Sequence, residues 1–300
     1  MGRERNLMTA SQPLTPELRA WIIDQASAGV SADRVFKAMC DAGWNADVAE
    51  SAMESVLTEH LAQLQASKDT AAAAASQPAA LSRPLPEPNL GQSPSTIDVG
   101  DREVSVLLAL QHPRVVVFGN LLSDEECDAI IAAAEPRMQR SLTVETQTGG
   151  EEVNADRTSD GMFFQREETP AVAALERRIA KLVNWPENHG EGLQVLHYRP
   201  GAEYKPHYDY FDPTQPGTPT ILKRGGQRLA TLVIYLNNPQ AGGGTSFPDV
   251  GLEVAPRRGN AVFFSYPAPD PATKSLHGGS PVIAGEKWIA TKWLREGEFK

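Results

Sequence analysis

The chain has 300 residues, of which 41% are hydrophobic and 22% are charged; this length and composition suit one large or two modest globular domains. Its net charge of −10 excludes the basic surface that a nucleic-acid-binding protein needs. Cys40 and Cys127 are its only cysteines, too few for a disulfide framework or a thiolate metal site, and this indicates a reducing compartment.

The first residues and the apolar runs of the chain predict no signal peptide and no membrane span. The first residues, MGRERNLMTASQPLTPEL, lack the apolar segment of a signal peptide. The longest apolar run, LATLVIYL, is too short to cross a bilayer. We therefore expect a cytoplasmic protein without membrane or nucleic-acid partners.

Residues 1–66 are predicted to form a small three-helix bundle. Thr15, Ser31 and Asn45 are suitable helix N-caps, and Gly29 and Gly43 are predicted to end the first two helices. The side chains expected on the inner faces at helical spacing are Leu18, Trp21, Ile22, Gln25, Val35, Met39, Cys40, Val48, Ala52, Met53 and Val56. The stretch GVSADRVFKAMCDAGWNADVAESAM resembles ubiquitin-associated-like modules; an accessory or oligomerisation bundle is the alternative. Either would give the bundle a protein partner.

Residues 67–98 are predicted to be a linker. Alanine, proline and serine dominate the segment AAAAASQPAALSRPLPEPNLGQSPS, and it has no apolar periodicity that a core could bury. Its prolines favour an extended, semi-stiff spacer.

From residue 99 the pattern becomes that of a folded domain, predicted over 99–300. RVVVFGNLLSDEECDAIIAAAEP indicates a strand and then a helix, which Ser123 and Glu126 would open as a capping box. A second helix is predicted after Thr169. The predicted strands that follow are LQVLHY, the segment around His207, LATLVIYLN, LEVAP, NAVFFSY and KWIATKWL. Helices followed by a run of antiparallel strands predict a mainly β fold with helical support, a double-stranded β-helix (jelly roll) with helices packed on one face.

A candidate metal site lies at His207, Asp209 and His277. Residues two apart in a strand point to the same face, so His207 and Asp209 can both reach one ion. His277 would come from a later strand. Two imidazoles and one carboxylate leave three metal positions open, which is the facial triad of non-haem Fe(II) oxygenases. A co-substrate and O2 would occupy the open positions.

Lys287, ten residues after His277, is a cation that could hold the far end of an anionic co-substrate. The pattern His-x-Asp alone is a weak signal, and the interpretation depends on the joint occurrence of all four residues near turn glycines. Other histidines have structural explanations: His197 alternates with core residues, and His112 precedes a proline at the surface.

The segments around these four residues resemble the prolyl 4-hydroxylases, Fe(II)/2-oxoglutarate-dependent dioxygenases that hydroxylate peptidyl proline. The segments that carry this resemblance, between about residues 114 and 295, are RTSDGMFF, HGEGLQVLHYRPGAEYKPHYDYF, QRLATLVIYLN, GGGTSFP and SLHGGSPVIAGEKWIATKW. It implies hydroxylation at C4 of proline, coupled to oxidative decarboxylation of 2-oxoglutarate to succinate and CO2. It also implies a need for Fe(II), O2 and L-ascorbate.

The resemblance assigns roles to the residues of the candidate site. His207, Asp209 and His277 match the iron ligands, and Lys287 matches the lysine that binds the distal carboxylate of 2-oxoglutarate. Tyr198 matches a tyrosine that hydrogen-bonds the co-substrate. Related lysyl hydroxylases and nucleic-acid demethylases place arginine at the lysine position, so the lysine favours the prolyl branch.

The remaining assignments each have a structural alternative. Thr231 could support the co-substrate pocket or serve only as a β-branched strand residue. Trp293 matches a tryptophan that lines the peptide groove, and Tyr204 a tyrosine near the bound proline. Arg157 and Arg228 could hydrogen-bond peptide carbonyls. Aromatic walls suit a proline-rich peptide, which presents flat rings and free carbonyls.

Gly244 departs from the family pattern. This chain has GGGT where the family usually has GGET, and the change affects peptide specificity or loop order rather than the metal. The segment 212–226, which directly follows the candidate ligands, is expected to be a lid.

Two other functions stay open at this point. The chain could be a 2-oxoglutarate oxygenase that acts on another residue or on a small molecule. It could also be an oxygen-sensing or adaptor protein that uses its N-terminal bundle for recruitment.

Overall fold

The structure, a computed structural model, describes residues 14–27, 30–60, 84–141, 143–144, 148, 150–152 and 156–300. The chain divides into two units, Met1–Ser82 and Arg83–Lys300. Among the described residues, no helix is long and apolar enough to span a membrane.

The first unit contains the predicted three-helix bundle. Its helices are α1 (Pro16–Ser27), α2 (Ala32–Asp41) and α3, which is helical over the described residues 46–60. The Asn45 side chain caps α3 by accepting a hydrogen bond from the Asp47 amide at 3.0 Å. Ser31 occupies the cap position of α2, but its side chain makes no capping hydrogen bond. Residue 29 and residues 61–66 lie outside the described residues.

The core of the bundle is formed by Ile22, Val35, Met39, Ala49, Ala52, Met53 and Val56. Val48 was predicted to face inward, and this is wrong: its side chain is exposed. It lies in the first turn of α3, where Ala49, the next residue, is buried instead. The helical spacing therefore predicts the inner face of α3 correctly only from its second turn onward.

The second unit is mainly antiparallel sheet. Its helices are α4 (Asp124–Ala134), α5 (Pro170–Leu182) and α6 (Thr218–Ile221). Its strands are β1 (Thr96–Asp98), β2 (Glu103–Leu110), β3 (Arg114–Gly119), β4 (Gln139–Arg140), β5 (Thr143–Val144), β6 (Glu151–Glu152), β7 (Asp160–Phe164), β8 (Leu193–Tyr198), β9 (Tyr204–His207), β10 (Arg228–Tyr235), β11 (Ala241–Gly242), β12 (Thr245–Phe247), β13 (Leu252–Val254), β14 (Ala261–Ser265), β15 (His277–Gly279), β16 (Val282–Ala284) and β17 (Lys287–Arg295).

Two sheets face each other and form the predicted jelly roll. The larger sheet has the order β1-β2-β3-β14-β10-β17-β8-β7-β4, and the smaller has the order β13-β12-β15-β9. The two-stranded pairs β11-β16 and β5-β6 complete the strand pairing of the described residues.

The central strand β10 shows how the layers pack. Leu232 and Ile234 join the core between the large sheet and the helices α4 and α5. Val233 and Tyr235 alternate with them and join a second core, which includes Phe247 of the small sheet. Both faces of β10 are therefore buried, which explains why its sequence is a continuous apolar run.

Both predicted helix starts of this unit are confirmed. Glu126 donates its amide to the Ser123 hydroxyl and accepts the Ser123 amide, which completes the capping box of α4. Thr169 accepts a hydrogen bond from the Val172 amide at the start of α5.

Residues 84–98, which fall within the predicted linker, belong to the second unit. Leu85 and Leu90 lie against its core, and β1 pairs with β2 at the edge of the large sheet. The earlier part of the predicted linker, residues 67–83, lies outside the described residues.

Candidate metal centre and co-substrate pocket

The two candidate histidines lie opposite each other on paired strands. β9 ends at His207 and β15 begins at His277, and the two residues are partners in the antiparallel register. Asp209 lies two residues beyond β9, so the prediction that strand alternation aims it beside His207 is wrong. The turn after β9 nevertheless returns its carboxylate to the site. One ligand atom from each of the three residues lies within 4.8 Å of the others.

Backbone carbonyls fix the tautomers of both imidazoles. Nδ1 of His207 lies 2.9 Å from the carbonyl oxygen of Lys205, and Nδ1 of His277 lies 2.9 Å from that of Ser275. A carbonyl can only accept, so each Nδ1 carries a proton, and in the neutral imidazole Nε2 then has the free lone pair. Both Nε2 atoms face Asp209, at 3.6 Å from Oδ1 and 3.5 Å from Oδ2 respectively. This is the arrangement that metal-binding histidines adopt.

The protonation states also suit a metal centre. Burial, together with the neighbouring His207, lowers the pKa of His277 to about 4 although Asp209 opposes the shift, so His277 is neutral at pH 7. Burial alone would raise the pKa of Asp209, but the imidazoles of His277 and His207, with Arg228, outweigh it and lower the pKa. The three residues therefore offer two imidazole nitrogens and one carboxylate, which fits Fe(II).

Lys287 lies at the start of β17, and only 2% of it is exposed. Its Nζ donates to the carbonyl of Gly243 at 2.8 Å and lies 4.8 Å from the centroid of the Tyr198 ring. Burial lowers its pKa to about 8, which leaves most of it charged at neutral pH; Glu253 opposes the shift. No carboxylate in the described part of the chain lies within ion-pairing distance of Nζ. A buried ammonium of this kind suits an anionic ligand.

All the predicted site residues except Arg228 line one pocket. Those that line it are His207, Asp209, His277, Lys287, Tyr198, Thr231, Tyr204, Arg157 and Trp293. Leu196 and Ile289 add apolar wall to it. The predicted metal ligands and the predicted anion-binding lysine therefore open into the same space.

Tyr204 and Trp293 flank the candidate metal ligands. The Tyr204 ring stacks on the His207 ring with centroids 3.7 Å apart, and the Arg157 guanidinium lies 4.9 Å from the Tyr204 ring centroid. Arg157 also donates to the side chain of Gln194 at 2.9 Å. The Nε1 atom of Trp293 is buried, and among the described residues no acceptor forms a hydrogen bond with it.

Arg228 lies behind the pocket. Its Nε and Nη2 atoms donate to the two carboxylate oxygens of Glu191, at 2.6 and 2.9 Å. Its Nη1 lies 3.4 Å from the backbone carbonyl of Asp209, and its guanidinium covers the Trp293 ring at 4.0 Å. Through these contacts Arg228 fixes the backbone of Asp209, a candidate ligand, and packs against the ring of Trp293.

Three buried groups at the site were not predicted. Tyr266 bonds Thr231, and Glu191 pairs with Arg228. Gln227 holds the turn after Asp209, because its side chain both accepts from the amide of Phe211 and donates to its carbonyl, at 2.8 Å each. The sequence could have indicated Tyr266. Strand alternation in NAVFFSY places its hydroxyl on a buried face, where a polar group requires a hydrogen-bond partner.

Segment 212–226, the predicted lid, contains α6. The Thr218 hydroxyl donates to the carbonyl of Asp212 at 2.6 Å, and Arg295 donates to the carbonyl of Arg224 at 2.7 Å. Its movement on peptide binding stays a prediction.

Comparison with known proteins agrees with this geometry. The model of the 2OG-Fe(II) oxygenase superfamily matches residues 193–295. Probable prolyl 4-hydroxylase 3 of Arabidopsis thaliana is 41% identical over 222 residues, which cover 67% of this chain and 75% of that protein. Prolyl 4-hydroxylase 5 of the same plant is 40% identical over 223 residues, 67% of this chain and 74% of that protein. The viral collagen prolyl hydroxylase of Paramecium Bursaria Chlorella virus-1, solved as a 2OG complex, is 30% identical, with a TM-score of 0.46, over 60% of this chain and 95% of that one.

The fold, the pocket and the matched superfamily define an Fe(II)/2-oxoglutarate-dependent dioxygenase. Within that class the chain belongs to the prolyl 4-hydroxylase family. The predicted family and fold class are thus confirmed.

Proposed function

We propose that this protein hydroxylates peptidyl proline at C4 and couples the reaction to oxidative decarboxylation of 2-oxoglutarate. The observation that carries the proposal is the shared pocket, in which His207, Asp209 and His277 face the same space as the buried ammonium of Lys287. The first three residues would hold Fe(II). Lys287 would bind the distal carboxylate of 2-oxoglutarate through a charge-assisted hydrogen bond, and Tyr198 would donate to the same co-substrate.

Bound Fe(II), 2-oxoglutarate and O2 supply the oxidation, with one oxygen atom entering succinate and the other the hydroxyl group on proline. The protein's part is to orient the reactants. Carbonyls behind His207 and His277 hold both rings by Nδ1 and so direct both Nε2 atoms towards the metal site. Lys287 would fix the co-substrate from the opposite end, beside the apolar side chains of Leu196 and Ile289, which line the same pocket. L-Ascorbate is expected to restore iron that becomes over-oxidised.

The peptide would enter beside Tyr204 and Trp293. Their rings provide flat apolar walls for proline, and the buried Nε1 of Trp293 can donate to a peptide carbonyl. Arg157, which also lines the pocket, is the second proposed donor to the peptide. Arg228 would contribute less directly, because its described contacts are with Glu191, Asp209 and Trp293.

Succinate release tests the proposed reaction. We expect iron-dependent release that proline-rich peptides stimulate and free amino acids do not, together with the gain of one oxygen atom on the peptide by mass spectrometry. His207→Ala should abolish turnover, whereas Lys181→Met, which changes an exposed lysine of α5, should not. Iron-dependent release that no prolyl peptide stimulates would instead support a different residue or a small molecule as the substrate.

The N-terminal bundle is proposed to recruit a protein partner and to be separate from catalysis. Because residues 84–98 belong to the second unit and include β1, the truncation should remove residues 1–82. The truncated chain should keep full activity on short peptides. A large loss of activity would contradict a recruiting role. A cytoplasmic location, in agreement with the free thiols of Cys40 and Cys127, is part of the same proposal.

A further inference from the structure

A chain of three buried oxygen-bearing groups ends on one of the candidate iron ligands. The Tyr266 hydroxyl lies 2.8 Å from Oγ1 of Thr231, and that Oγ1 lies 2.7 Å from Oδ2 of Asp209. Tyr266 and Thr231 are each 1% exposed, and Asp209 is 6% exposed. Water therefore cannot replace either hydrogen bond without rearrangement of the core.

The direction of both hydrogen bonds follows from their chemistry. A carboxylate has no proton to donate, so Asp209 accepts the hydrogen bond from Thr231. Thr231 must use its single hydroxyl proton on Oδ2. Tyr266 then has to donate to Oγ1 of Thr231, and the bonds run from Tyr266 through Thr231 to Asp209.

This order distinguishes the two oxygens of Asp209. Oδ2 accepts the hydrogen bond of Thr231 at 2.7 Å and lies 3.5 Å from Nε2 of His277. Oδ1 lies 3.6 Å from Nε2 of His207. Thr231 therefore occupies one lone pair of Oδ2 and leaves Oδ1, on the side of His207, to a metal.

We propose that Thr231 and Tyr266 are positioning residues that hold Oδ2 of Asp209 in a hydrogen bond and so leave Oδ1 as the single metal-binding oxygen. The inference rests on the proposed metal centre. Its consequence is that the carboxylate occupies one metal position instead of two, which keeps three positions open for the co-substrate and O2. Tyr266 acts only through Thr231.

The strand register explains why these two residues can cooperate. Thr231 of β10 pairs with Phe264 of β14, and Tyr266 is two residues after Phe264, directly beyond the end of β14. Tyr266 therefore approaches Thr231 from the neighbouring strand on the face of the sheet that carries Val233 and Tyr235. Thr231 is thus placed between the tyrosine and Asp209.

Titration of the full chain with Co(II), followed by visible absorption, tests the inference without any turnover. Loss of a group that orients a ligand typically costs 10–100-fold in metal affinity, and we expect this loss for Thr231→Val. Tyr266→Phe should show a smaller loss and a change in the Co(II) spectrum. Thr231→Ser, which keeps the hydroxyl, should restore both affinity and spectrum.

The matched control is Tyr235→Phe, which removes another fully buried tyrosine hydroxyl from the same face of β10. That hydroxyl bonds Thr245 at 2.7 Å instead of a candidate metal ligand. Its Co(II) affinity should equal that of the unaltered chain. Because Tyr266 acts through Thr231, Tyr266→Phe should add no further loss of affinity to Thr231→Val.

Three results would overturn the inference: Thr231→Val or Tyr266→Phe with the same Co(II) affinity and spectrum as Tyr235→Phe, or fully additive losses in the double variant. If Thr231→Val does not fold, Tyr266→Phe and Thr231→Ser decide the question alone. An unaltered chain that fails to bind Co(II) would overturn the proposed metal centre itself, which is a separate outcome.

Discussion

The side chain of Glu253 fills the space next to Gly244 in which a β-carbon at position 244 would lie. A β-carbon added at position 244 would stand 2.3 Å from Oε1 and 2.7 Å from Cγ of Glu253, well inside van der Waals contact. Gly244 is the position at which prolyl 4-hydroxylases usually carry an acid. In this chain the acidic group next to that position comes from Glu253 on β13, the strand that pairs with β12. The side chain of Glu253 therefore occupies the space that an acidic side chain at position 244 would need.

We predict that Gly244→Glu alone is mildly destabilising and weakens peptide binding. The new side chain must displace Glu253, and two carboxylates then share one place. Glu253 is exposed and can rotate away, so we expect a loss of about 1 kcal/mol in the free energy of unfolding. Urea denaturation and the peptide KM are the measurements.

The double variant Gly244→Glu with Glu253→Ala provides the control. Removal of Glu253 should relieve the clash, so the double variant should be more stable than Gly244→Glu, with a coupling energy above about 0.5 kcal/mol. Additive effects of the two substitutions would show that residues 244 and 253 do not share the space.

Lys287→Met should stabilise the protein without ligands while it weakens 2-oxoglutarate binding strongly. Burial lowers the lysine pKa from 10.5 to about 8, and this corresponds to a cost of about 3 kcal/mol for the charged form at pH 7. The lost hydrogen bond to Gly243 offsets about 1 kcal/mol of the gain. We expect a net stabilisation of about 2 kcal/mol by denaturant titration, whereas Lys223→Met should have little effect. If Lys287→Met were less stable than the unaltered chain, the charge of Lys287 would not be the destabilising group that this prediction assumes.

The same pKa shift predicts how that stability difference and the co-substrate affinity depend on pH. The cost of charged Lys287 is fully present below pH 8 and disappears above pH 10.5, so the advantage of Lys287→Met should shrink across that range. Affinity for 2-oxoglutarate, measured by calorimetry on Mn(II)-loaded protein, should fall as pH rises above 8. Because the Glu253 charge favours the ammonium, Glu253→Gln should move the fall to lower pH. An affinity independent of pH between 7 and 9.5 would argue against Lys287 as the binding group.

Glu191→Gln should destabilise the second unit severely. Glu191 is 8% exposed and lies between two buried arginines, with Oε1 2.6 Å from Nε of Arg228 and 3.4 Å from Nε of Arg295. Loss of its charge leaves both cations buried without a counter-ion on that side, which typically costs about 3–5 kcal/mol. Urea denaturation measures this loss. Glu87→Gln is the control: Glu87 also pairs with an arginine, Arg114, but its side chain is 45% exposed, so less than about 1 kcal/mol is expected.

The sequence predicted those features that depend on local patterns. The capping box of Ser123 and Glu126 was predictable because both partners lie within one helical turn. The buried run of β10 was predictable because its residues read as core strand without knowledge of their neighbours. The metal ligands and Lys287 were found by their spacing and by the family resemblance, not by geometry.

The features that sequence reasoning missed depend on contacts between distant segments. Asp209 lies beyond the end of β9, and its position is held by Thr231 and Arg228, about twenty residues later in the chain. The pairing of His207 with His277 follows from the register of β9 and β15, which no local pattern specifies. Strand alternation could indicate that Thr231 faces the pocket, but it could not identify Asp209 as its partner.

Trp293→Phe should impair peptide binding more than co-substrate binding. The indole Nε1 is a buried donor for which the described residues offer no acceptor, and an unpaired donor of this kind costs about 1–3 kcal/mol. A peptide carbonyl that accepts from Nε1 would remove that cost, so the substitution should raise the peptide KM about tenfold and leave the 2-oxoglutarate KM unchanged. Phenylalanine keeps the aromatic wall beside Arg228, and the unliganded protein should therefore be as stable as before or more so. Peptide KM and denaturant titration on the same variant separate the two effects, and an unchanged peptide KM would show that the indole hydrogen does not contact the substrate.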